Sequence, residues 1–137
     1  MLSERTLTVA SSFLFLVPAL YAFYVGAPLF GILAISVALV STIYHLAKDT
    51  GPHWWWDKKR SKFQHVMLIL DTLLALVFVA YGIFLFYEKG FPITFWIAVT
   101  LFTVLFIQFI FPTKKFYKYQ HLLWHMGAAI IALLPLL

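Results

Sequence analysis

Apolar residues run along this chain in five long blocks, separated by short breaks rich in glycine, proline and charge. The blocks fall at about 7–25, 28–47, 63–87, 91–111 and 119–137. Each approaches the roughly 20 apolar residues that a helix needs to cross the hydrocarbon core of a bilayer. The breaks lie at Gly26-Ala27-Pro28, at 48–62, at Glu88-Lys89-Gly90 and at 112–118, and glycine and proline are turn residues in their own right. No block alternates polar and apolar positions as the strands of a membrane barrel do. The pattern therefore predicts an all-α protein, a single integral membrane helical bundle of about five transmembrane helices over residues 1–137. The segment before the first block carries a single basic residue, Arg5, offset by Glu4, and no clear small-x-small cleavage pattern follows the block, so it is expected to be a retained span.

Composition supports the same class. The chain is 64% apolar and only 11% charged, against about 25% charged residues in a soluble domain, too few to cover a water-facing surface. Cysteine is absent, which excludes disulfides, thiolate metal ligands and cysteine nucleophiles. The net charge of +5 does not indicate a nucleic-acid partner, because the basic residues sit in short loops where they meet lipid headgroups. Their distribution is one-sided. Arg5, then Lys48, Lys58, Lys59, Arg60 and Lys62, then Lys114, Lys115 and Lys118 all fall on one side of a five-span bundle, leaving only Lys89 opposite. The positive-inside rule then predicts a cytoplasmic N-terminus and an external C-terminus.

Against this background a few polar residues stand out inside the blocks: Ser41 and His45 in the second, Asp71 in the third, His121 and His125 in the fifth. An ionisable group within a span is expensive to insert, about 2.5–3.5 kcal/mol for a central carboxylate, and marks a functional site by default. The expected topology puts all five at one level in the cytoplasmic half of the membrane. The second block ends there and the fifth begins there, and Asp71 lies about 12 Å into the third at a rise of about 1.5 Å per residue. Ser41 and His45 are four residues apart, as are His121 and His125, so each pair shares a helix face. Two imidazoles one turn apart, joined by a third from a neighbouring helix, make the open three-histidine arrangement of a catalytic zinc, although imidazole also suits iron, copper and nickel. His45, His121 and His125 are thus the expected Zn2+ ligands, with Asp71 as acid or base and Ser41 as a hydrogen-bonding helper. His65 lies about 240° around its helix from Asp71 and is expected to face elsewhere. His53 and the run Trp54-Trp55-Trp56 read as an interfacial anchor, with a lid over the site as the alternative.

The sequence Ser41-Thr42-Ile43-Tyr44-His45, then Asp71, then His121-Leu122-Leu123-Trp124-His125 resembles the S-x-x-x-H, D, H-x-x-x-H signature of the CREST superfamily. That superfamily includes alkaline ceramidases, adiponectin-type receptors, GPI-lipid-remodelling phospholipases and myomaker-like proteins; the tail from Tyr119 to Pro135 looks closest to the last two. The resemblance implies a zinc ion on the three matching histidines, flanked by the matching carboxylate and hydroxyl, and hydrolysis of an amide or ester bond in a membrane lipid. Such proteins typically have seven spans where this chain has five, and a homodimer is one way to supply the missing walls of a substrate pocket. Two other classes remain open on the sequence: a non-enzymatic zinc-stabilised receptor or scaffold, and a haem-binding electron carrier.

Overall fold

The computed structural model describes residues 3–47, 61–111 and 116–137. It contains five helices, α1 (Glu4–Tyr24), α2 (Pro28–Ala47), α3 (Lys62–Glu88), α4 (Ile93–Ile110) and α5 (Tyr117–Leu133), and no strand among the described residues. The chain is an all-α bundle, and α1 to α4 are long and apolar enough to cross a membrane. The last helix is shorter than the sequence pattern implies, with 17 residues. Pro135 cannot continue it, because it lacks an amide hydrogen and its ring meets the preceding turn. A 3-10 turn, Leu134–Leu136, takes over. At about 1.5 Å per α-helical and 2.0 Å per 3-10 residue, helix and turn together cover about 30 Å, close to the hydrocarbon thickness.

The helix ends follow from local chemistry. Gly26 and Gly90 have φ of +79° and +70°, a left-handed conformation that glycine adopts without steric cost. In both turns the next amide reaches back five residues, Ala27 N–H to the Ala22 carbonyl at 2.8 Å and Phe91 N–H to the Phe86 carbonyl at 2.9 Å. These are Schellman-type closures that satisfy the last carbonyls of α1 and α3. At the start of α3 a capping box pairs Ser61 with Gln64, and the Gln64 amide also donates to the Ala47 carbonyl at 2.7 Å. That bond ties the end of α2 to the beginning of α3.

Packing runs in the order α3–α2–α1–α5–α4, so the first helix in sequence occupies the middle of the bundle. Burial agrees: within the most apolar 18 residues of each helix, 39% are buried in α1 and 44% in α2, against 11% in α3 and 6% in α4. Ala19, Ala22, Ala34 and Ala38 form the α1–α2 contact. Small side chains there let two backbones approach, which matters where lipid is as apolar as the protein and tight packing replaces the hydrophobic driving force. Phe15 and Phe30 project from this pair onto Phe78 of α3, at ring separations of 6.2 and 4.5 Å.

Candidate metal centre

Two helix ends meet at one end of the bundle. His45 lies in the last turn of α2, and His121 and His125 occupy the first turns of α5. Their i, i+4 spacing turns both tail histidines to the same side, where they are 8% and 4% exposed, and His45 is 2% exposed. One ring nitrogen from each of the three lies within 4.8 Å of the others. Nε2 of His45 and Nε2 of His121 face each other at 3.0 Å. The ring centroids of His125 are 4.6 Å from His121 and 5.3 Å from His45.

The donor set fits a small tetrahedral metal ion. Two nitrogens each about 2.0–2.1 Å from such an ion lie about 3.3 Å apart, near the separation seen here. Three neutral imidazoles with no thiolate suit zinc, and also iron, copper and nickel. The 3.0 Å between the His45 and His121 nitrogens is too short for that pair to hold a haem iron between them, since nitrogens on opposite faces of a porphyrin iron would stand about 4 Å apart with the macrocycle between them. The three-histidine cluster therefore favours one ion.

Other residues complete the site. Ser41, 3% exposed, sits one turn before His45, and its hydroxyl is 3.4 Å from that of Ser12. Tyr44 and Tyr117, both buried, lay their rings beside His45 and His121 at 5.1 and 5.4 Å. Phe15 meets His125 edge-on at 6.1 Å. Asp71 is half-buried on the face of α3 that also carries Leu68, Phe78 and Gly82, toward α2. It is not a member of the three-histidine group. His65 is exposed, as its position around α3 implies. His53 and Trp54-Trp55-Trp56 lie outside the described residues.

What the sequence reading missed is α1. Thr8, Ser11 and Ser12 are buried to 2% exposure or less, and the Ser11 hydroxyl is 2.8 Å from Nδ1 of His125. Their i, i+3, i+4 spacing puts all three on one helix face, the same signal that singled out the histidines. It was obscured because hydroxyls are cheap in membrane helices and usually bond back to their own backbone.

Phe15, whose ring meets His125, also lines a cavity of about 320 Å³. Its walls are almost entirely apolar, drawn from α3, α4 and α5, with Phe15, Phe30 and Val37 as the floor. It exists because α3 and α4 meet at Phe86 and Phe95 near their connecting turn, at 5.4 Å, whereas α4 packs along α5 instead of α3.

Compared with known proteins, the chain matches no family model, no curated protein and no solved structure.

Proposed function

We propose that the chain is a zinc-dependent intramembrane hydrolase that cleaves an amide or ester bond of a membrane lipid. The observation that carries this reading is the buried cluster of His45, His121 and His125, whose donor nitrogens converge within 4.8 Å. A zinc ion on three neutral imidazoles would keep its full charge and supply Lewis acidity and water activation. The chain's own groups supply the rest. Of its five acidic residues, Asp71 alone lies in the interior of a helix block, which suits it to balance the added charge and to accept a proton from water. The same carboxyl group then returns that proton to the departing amine or alkoxide. Ser41 donates a hydrogen bond to the developing oxyanion. The apolar cavity lined by Phe15 supports a lipid over a soluble substrate, because it offers contact for hydrocarbon and almost no polar partner. In the orientation that the loop charges favour, the site opens in the cytoplasmic half of the membrane.

The test is release of fatty acid by the purified full chain from ceramide and glycerophospholipid substrates in mixed micelles, followed by mass spectrometry. The wild type is expected to release fatty acid, and Asp71→Ala is expected to abolish release while keeping the metal. A zinc-loaded wild type that cleaves nothing in the panel would replace this reading with that of a receptor or scaffold held together by zinc.

A further inference from the structure

Three buried hydroxyls in the first turns of α1 need an account. Thr8, Ser11 and Ser12 of α1 each bond back to the preceding turn: Thr8 to the Glu4 and Arg5 carbonyls, Ser11 and Ser12 to the Thr8 carbonyl. Thr8 needs nothing more. Ser11 makes a second contact, across the bundle, with Nδ1 of His125 at 2.8 Å.

A serine hydroxyl has one proton and two acceptor lone pairs, and a neutral imidazole has one N–H and one unprotonated nitrogen. The Ser11 proton, directed to the Thr8 carbonyl 2.9 Å away, leaves the oxygen able only to accept from the ring. Both contacts are satisfied together when His125 carries its proton on Nδ1. Nε2 is then the unprotonated nitrogen. A metal-binding histidine is commonly held this way, by an acceptor on the nitrogen that does not coordinate.

We propose that Ser11 is a positioning residue that locks His125 as the Nδ1–H tautomer and aims its Nε2 at His45 and His121 as the third metal donor. This rests on the zinc reading above and extends it by a further helix: α2 and α5 carry the ligands, and α1 sets the state of one of them. It also accounts for a buried serine that bonds back to its own helix and yet reaches out to a ring.

The test uses the full chain in detergent, with selectively 15N-labelled histidine and a zinc competition titration against a chromophoric chelator. The metal-free wild type should show His125 protonated at Nδ1 and unprotonated at Nε2. Ser11→Ala should let both tautomers appear and weaken zinc binding by about 10- to 100-fold, the usual effect of losing such a partner. Ser11→Thr should restore both readouts. Thr8→Val removes a buried hydroxyl from the same helix without touching the ring, and should bind zinc as the wild type does. Three results would overturn the proposal: a wild-type ring protonated at Nε2, wild-type zinc affinity in Ser11→Ala, or equal weakening in Ser11→Ala and Thr8→Val. Failure of the wild type itself to bind zinc is a separate outcome, and it overturns the zinc reading on which the proposal rests.

Discussion

At the scale of residues, a small polar set divides by role. His45, His121 and His125 present nitrogens to one point, so truncating any one leaves two donors, too few for a stable tetrahedral site. His121→Ala and His125→Ala are each expected to lose the metal, as read by elemental analysis of the purified variants. Asp71 is a different case, on a neighbouring helix and outside the histidine group. Asp71→Ala is therefore expected to keep one ion per chain and to lose turnover by several orders of magnitude; turnover at the wild-type rate would remove the carboxylate from the chemistry. The grouping of the three histidines was legible in the sequence because ionisable groups in apolar blocks are conspicuous and His121 and His125 are spaced by one turn. Ser11 was not, since a serine in a membrane helix normally satisfies itself and its contact with His125 bridges 114 positions of chain.

At the scale of elements, hydropathy located the five helices of the described residues, and the breaks at Gly26-Ala27-Pro28 and Glu88-Lys89-Gly90 coincide with the turns that end α1 and α3. Two features escaped it. The α3 start at Lys62 follows from the Ser61–Gln64 capping box, a pattern of side-chain hydrogen bonds that a hydropathy profile does not register. Ser61→Ala should cost about 0.5–2 kcal/mol and loosen the α2–α3 junction, where Gln64 holds the Ala47 carbonyl. Thermal unfolding followed by circular dichroism would measure it, and an unchanged midpoint would show the cap to be idle. The second feature is the close approach of α4 and α5. A Cβ on Gly127 would run into the side chain of Leu105, and overpacking of this kind typically costs about 1–3 kcal/mol. Gly127→Val is accordingly expected to lower the unfolding midpoint while leaving the histidine cluster one face away able to bind metal.

At the scale of the whole molecule, the packing order differs from the chain order, and no sequence pattern announced it. The first helix sits between α2 and α5, so the residues that bear ligands are brought together across the helix that hydropathy left featureless. The same order leaves α3 and α4 apart and opens the apolar cavity beside the site. Filling it with Ala98→Phe should lower lipid hydrolysis at least about tenfold, about 1.4 kcal/mol in the barrier, with the zinc content unchanged. Equal activity in that variant would place the acyl chain elsewhere. The claim on which the rest depends is that this bundle is a metal protein. The direct measurement is the zinc content of the full chain, purified without chelators, by elemental mass spectrometry alongside His121→Ala. About one zinc per wild-type chain and none in the variant is the expected result; a wild-type protein free of zinc, or a variant that keeps it, would contradict the account.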